Sequence, residues 1–351
     1  MQIRWAEISA LTAAFAATGW GADAPRKAVV RPDLSGFYDI ATLTPLTRPA
    51  ALGDRLSLTD AEAKKIADEA AALRAATSKA SDPNRKAPPE GGDGSEGAAG
   101  NVGGYNTVWV DTGEKNFKID GKFRTSIITD PANGRIPPMT PEARKRAMER
   151  AKYNRPNRGD AFWVTENLSP GPYDDPELRP TAERCLLSFG SGGGPPMLPV
   201  LYNNLKQIVQ TKDTVMILNE MVHDARIIRI NGQHEPPEIR RWLGDSIGRW
   251  EGDTLVVDTT NFNDMPALSG ASRNLHVIEK FRRLDDKSLL YSFTVEDPTV
   301  WTKPWSGEIL WPATDQRIFE YACHEGNYSF AGILKGARIL EAEAEKKKAA
   351  K

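Results

Sequence analysis

The side chains best suited to chemistry in this chain are its histidines and the carboxylates beside them. The four histidines are His223, His234, His276 and His324. His223 adjoins Glu220 and Asp224, His276 precedes Glu279 by three residues, and His324 adjoins Glu325. An imidazole oriented by a carboxylate is the usual arrangement for general acid–base catalysis. Three such side chains at one mouth would also suit zinc. No H-E-x-x-H or other metal spacing occurs, so no metal site is expected and the histidines are read first as hydrogen-bonded residues. His234, in the loop His234-Glu235-Pro236-Pro237, is expected to face solvent. The acid–base candidates are therefore His223, Asp224, His276, Glu279 and His324.

Glu279 is the most unusual of these. In a strand it falls in phase with Leu275, Val277 and Phe281, on an apolar face, while His276 points to the other face. A carboxylate there needs a partner, a polar lumen or a raised pKa. A buried ion pair is its first reading and a catalytic acid its second.

A second constellation is aromatic. Trp242, Trp250, Trp301, Trp305 and Trp311 are interleaved with Arg240, Arg241, Arg249 and Lys303. Aromatic faces with guanidinium forks suit flat or partly apolar ligands, and core or rim packing is the competing explanation. Arg226, Arg249, Trp250, Trp301 and Trp305 are the ligand-binding candidates. Two tempting motifs fail their context. Gly244-Asp245-Ser246-Ile247-Gly248 has the form of a nucleophile elbow, but a turn signal and a strand follow it instead of a helix. Gly190-Ser191-Gly192-Gly193-Gly194 lacks the Lys-Ser/Thr of a phosphate loop, and Pro195-Pro196 follows. No dinucleotide, haem or flavin motif appears, so no cofactor is expected.

The elements that must position these residues are mainly β. Strand-like runs occur at Gln207–Thr211, Thr214–Glu220, Ala225–Ile230, Thr254–Thr259, Leu275–Arg283, Ser288–Val295, Gly307–Trp311 and Arg317–Tyr321. Lys212-Asp213, Asn231-Gly232, Glu251-Gly252-Asp253 and Asp285-Asp286 supply turns between them, and tight turns force antiparallel neighbours. A sheet of this size hides its edges by closing or doubling. The expected fold is an antiparallel meander over residues 206–322, forming a barrel (calycin-like closure included) or a curved sandwich. Peripheral helices and long Pro/Gly-rich loops complete it. The first strand is expected near Gly36-Phe37-Tyr38, and Thr107–Val110, Asn116–Ile119 and Phe123–Thr129 add a hairpin unit. Thr59 and Glu62 form a capping box for a surface helix over 58–78. Residues 79–104 read as a flexible loop, Thr140 as the cap of a short helix, and 337–351 as a charged tail, either a solvated helix or disordered.

Lys plus Arg (46) nearly balances Asp plus Glu (47), leaving a net charge of -1. That gives no electrostatic case for nucleic acid. Arg4, the Ala-rich run from Ile8 to Trp20 and Ala22-Asp23-Ala24 have the order of a signal peptide over 1–24, with an ordinary N-terminal helix as the alternative. No later stretch is apolar enough to span a bilayer. Residues 25–336 then form one domain of a periplasmic or secreted protein whose partner is a small molecule. The two cysteines, Cys185 and Cys323, would pair after export; two buried thiols are the alternative.

Gly244-Asp245-Ser246-Ile247-Gly248-Arg249-Trp250-Glu251-Gly252-Asp253-Thr254-Leu255-Val256-Val257-Asp258-Thr259 resembles the central signature of a large family of uncharacterised, mostly exported bacterial proteins. Pro32–Gly36, Arg124-Thr125-Ser126, Asn133-Gly134-Arg135, Glu183-Arg184-Cys185, His276–Arg283 and Glu320–Cys323 extend the resemblance over nearly the whole chain. It implies export and one continuous unit. With no reaction assigned to that family, it carries over no catalytic residues. The sequence supports two readings: an exported protein binding a small, partly aromatic or hydrophobic ligand, or a cofactor-independent hydrolase, lyase or isomerase using His/carboxylate chemistry.

Overall fold

A computed structural model describes residues 31–79, 84, 110–153, 155 and 159–350. The expected signal segment, nearly all of 79–104 and residues 107–109 lie outside the described residues. The fold is mainly β, a ten-stranded sheet curled into a half-barrel with a small second sheet and a few helices.

The strands are β1 (Gly36–Asp39), β2 (Ser57–Leu58), β3 (Lys118–Ile119), β4 (Lys122–Arg124), β5 (Ile128–Asp130), β6 (Leu205–Gln210), β7 (Thr214–Asn219), β8 (Ala225–Ile230), β9 (Asp245–Glu251), β10 (Thr254–Thr260), β11 (His276–Asp285), β12 (Ser288–Glu296) and β13 (Trp305–Pro312). The large sheet runs β1-β6-β7-β8-β9-β10-β11-β12-β13-β5, and β2-β4-β3 form the small one. The sheet bends until β1 meets the end of β13. Tyr38 bridges Ala313, and the Thr314 amide donates to the Phe37 carbonyl.

Strict alternation builds the core. In β12, Leu289, Tyr291, Phe293 and Val295 point inward, and Val277, Glu279 and Phe281 of β11 meet them. Trp305, Ile309 and Trp311 continue the apolar lining on β13. Side chains two apart share a face, so a polar strand residue in phase with these is carried inside.

Three features differ from the expected meander. First, β8 and β9 pair in parallel, with Ile228 opposite Ser246 and Ile230 opposite Gly248. The connection Asn231–Gly244 is long enough to return the chain to the starting end, which a tight turn cannot do. Second, the residues from Asp245 to Glu251 are a strand and not a turn. Gly248 permits it, since a Cβ there would lie 2.8 Å from Ile228 Cγ2. Third, Arg317–Tyr321 is not a strand. Its backbone is held by side chains: Glu220 accepts from the Phe319 amide at 3.1 Å and His223 Nε2 from the Tyr321 amide at 2.7 Å.

The helices are α1 (Asp60–Thr77), α2 (Pro141–Tyr153), α3 (Phe162–Thr165) and α4 (Tyr328–Ala349). Thr59 and Glu62 cap α1 reciprocally, and Ala63 is its one buried residue. α2 follows Thr140, whose hydroxyl accepts from the Ala143 amide. The tail is helical from Tyr328, and its fully buried Ala337 joins a second apolar cluster with Phe162, Trp163 and Tyr173. Cys185 and Cys323 form a disulfide with Cα atoms 5.8 Å apart, tying the loop before the meander to its end. Among the described residues no helix is long and apolar enough to cross a membrane.

Candidate functional site

Strand direction gathers the polar residues. The starts of β6, β8, β9 and β11 and the ends of β7, β10 and β12 lie at one end of the sheet. Lys206, Asn219, Arg226, Asp245, Ser246, Asp258, Thr259, His276 and Glu296 therefore share that end, with Asp224 immediately before β8.

Inside, Arg226 and Glu279 form a bidentate ion pair, with side chains 2% and 0% exposed. The Tyr291 hydroxyl donates to Glu279 Oε1 at 2.8 Å and accepts from the Met197 amide at 2.9 Å. Arg226 Nε donates to Ser246 Oγ at 3.1 Å, and Ser246 Oγ lies 2.9 Å from Thr259 Oγ1. Burial, then the Glu279 charge, pushes the Tyr291 hydroxyl well above its ordinary pKa, so it stays a donor. Glu279 is thus a buried ion-pair partner, and Ser246 is a structural hydroxyl beside a guanidinium. With a strand running on from Asp245, the geometry is not that of an elbow.

Outside, five side chains alternate carboxylate and imidazole across four strands. Asp245 Oδ2 lies 3.0 Å from His234 Nδ1, and His234 Nε2 lies 3.2 Å from Asp258 Oδ1. The same Asp258 oxygen lies 3.1 Å from His276 Nε2, and His276 Nδ1 lies 3.3 Å from Glu296 Oε2. His276 and Glu296 face each other directly across β11 and β12. Arg229 holds Asp245 through both carboxylate oxygens, and the Glu235 amide adds a third donor. Burial works to raise Asp245, but Arg229, the Glu235 amide and His234 outweigh it and hold the carboxyl at about 2. The Asp258 bond raises His276 above its ordinary value, and the same bond lowers Asp258. Among the described residues no group of three His, Cys, Asp or Glu side chains is placed to hold a metal ion.

A third group lies on the β6–β8 side. Lys206 is fully buried and donates to the Gly192 carbonyl at 2.9 Å. Burial pushes its ammonium down to about 7, against the opposing charges of Glu220, Asp224 and Asp39. Burial also pushes Asp224 up to about 6, against Lys206 and a Ser188 amide. Asp224 Oδ2 is buried without a hydrogen-bond partner, packed where a Cβ on Gly193 would come within 2.6 Å. Val222 and His223 just before it both take positive φ, 61° and 52°. A β-branched residue in that region is strained, and such strain collects at functional sites. The disulfide and the His223–Tyr321 bond brace the segment.

These groups border one cavity of about 630 Å³, lined by Leu186, Asp224 to Ile227, Arg229 and Arg240 to Ser246. Asp245 and Ser246 reach it from neighbouring positions on opposite faces of β9. Three of its four arginines have carboxylate partners: Arg226 with Glu279, Arg229 with Asp245, and Arg241 with Glu235. Arg240 donates to the Phe262 and Arg273 carbonyls and forms no ion pair among the described residues. Clefts of similar volume beside α4 and α2 lack this convergence of buried charge.

The expected site residues are thus divided. Asp224 and Arg226 line the cavity, and His276 and Glu279 sit on opposite faces of β11 beside it. His223 braces the Phe319–Tyr321 segment, and His324 is exposed beyond the disulfide. The three histidines do not meet at one mouth. His276 instead joins His234, which was expected in solvent and is largely covered. Arg249 pairs with Glu251 at the opposite end, where Trp250 packs on the core. Trp301 and Trp305 stack edge to face within the core. Trp242 is the cluster's tryptophan that lines the cavity. No motif marks Lys206; its one signal in the sequence is that it lies in phase with inward-facing Ile208. No family model matches the chain, and no curated protein or solved structure matches it.

Proposed function

We propose that this is an exported protein that binds a small, partly aromatic or hydrophobic ligand in the cavity at the charged end of its half-barrel. The observation that carries the reading is the composition of that one wall. Trp242, Leu243, Leu186 and Ile227 offer an apolar surface beside four guanidinium groups. Small-molecule sites combine apolar surface with fixed polar groups, and this wall carries both. The Cys185–Cys323 disulfide supports export. A thermal-shift panel of aromatic acids, sugars and lactones tests the binding. At least one compound should raise the melting temperature, and Trp242→Ala should abolish the rise. No shift with any compound would overturn the reading.

A second reading, a cofactor-independent hydrolase, lyase or isomerase, is favoured by one observation. Asp224 at about 6 and Lys206 at about 7 both titrate near neutrality, where acid–base catalysts work best. Once turnover is found, its pH–rate profile should change in Asp224→Asn; an unchanged profile removes Asp224 from the reaction.

A further inference from the structure

We propose that the cavity takes up a small organic monoanion together with a proton, and that the proton is held by Asp224 with Lys206 behind it. This rests on the ligand-binding reading above and adds the ligand's charge and its linkage to pH.

The charge comes from counting partners. Of the four cavity guanidiniums, three are cancelled by Glu279, Asp245 and Glu235, and Arg240 is not. Arg240 is anchored through Nη1 to two carbonyls, which fixes its position without neutralising it. Trp242, two residues along, supplies an aromatic surface beside it. A planar carboxylate meeting a fixed guanidinium is a favoured, charge-assisted contact.

The proton comes from Asp224, the remaining carboxyl of the wall. When ionised, it puts a negative charge on the cavity wall and repels an entering anion; when protonated, it does not. Its buried Oδ2 has no partner, so the neutral form is the less costly one to keep there. Lys206, the buried cation that faces it from β6, is itself flanked by Glu220 and Asp39. His223, next in sequence, accepts from the Tyr321 amide. Below about pH 6 the Asp224–Lys206 pair carries net positive charge, and above about pH 7 net negative. Anion affinity must then fall as pH rises through that window.

Titration calorimetry with benzoate, and with benzamide as its neutral isostere, between pH 5.5 and 8 tests this. Benzoate should bind about tenfold more weakly at the upper end, a loss that a partly screened like charge some ångströms away produces. Asp224→Asn should flatten this fall, leaving only the part that Lys206 contributes as it loses its own proton. Arg240→Gln should lose the preference for benzoate over benzamide. A pH-independent wild type, or an Asp224→Asn variant that keeps the wild-type slope, would overturn the proposal and leave ligand binding standing. Equal binding of both compounds would do the same. If neither compound binds and the thermal-shift panel is also blank, both readings fall.

Discussion

Removing Glu279 should destabilise this protein as much as truncating a large apolar core side chain. Its carboxylate is fully buried and is met by the Arg226 fork and the Tyr291 hydroxyl. In Glu279→Leu the guanidinium would remain inside with only the Ser246 and Thr259 hydroxyls, and Tyr291 would lose its acceptor. Breaking one partner of a buried ion pair costs about 3–5 kcal/mol, most of it the penalty of the orphaned charge. Arg226→Met should cost a similar amount for the converse reason. The double variant Arg226→Met/Glu279→Leu removes both charges and puts apolar side chains in a largely apolar shell, so it should regain much of the loss. Guanidinium unfolding followed by tryptophan fluorescence, with the denaturant slopes compared, measures all three. The reasoning fails if either single variant costs less than about 1 kcal/mol, or if the double variant simply sums the two losses.

Two other expectations follow from the same structure. His276 is raised above its ordinary pKa, chiefly by the bond to Asp258. The folded state then holds that proton more tightly than the unfolded chain. The resulting stabilisation is complete below the ordinary histidine range and is lost as pH rises through the raised value. Asp258→Asn should move the His276 titration, followed by NMR, to lower pH; an unmoved midpoint would contradict the chain of contacts. The Cys185–Cys323 bridge closes a span of 138 residues, and replacing both cysteines by serine should cost about 2–5 kcal/mol. Mass spectrometry without reductant should find no free thiol, and two free thiols would remove the bridge.

Much of the sheet was legible because alternation is a local property. β8, β10, β11 and β12 lie within a residue or two of their expected bounds, and the Thr59 cap starts α1 where its side chain requires. β9 was hidden because its glycines resemble turn residues; Gly248 is there for close packing against Ile228. That also concealed the parallel pairing, since a meander was inferred from turns and the connection before β9 is not one. Glu279 stood out because its phase put a carboxylate among apolar side chains. Its partner did not, because many arginines were available and strand order alone brings Arg226 to it. The Asp245–His234–Asp258–His276–Glu296 chain was the least readable. It depends on a loop histidine reaching two strands, and no periodicity describes a loop.

The neighbouring residues Asp245 and Ser246 have a consequence for how β9 finds its place. The strand is held to β10 over seven residues but pairs with β8 over only three, Ile228 to Ile230, which is little to specify how the β9–β10 hairpin aligns on β8. A slip by one would exchange the two faces. It would turn the Asp245 carboxylate inward toward Glu279, like charge against like charge in a dry interior, and leave Arg229 facing a hydroxyl. The correct alignment is enforced from both sides at once, so a chain with β9 displaced would be penalised before its apolar residues were even misplaced. Two adjacent polar side chains thereby act as a key for the parallel step between β8 and β9.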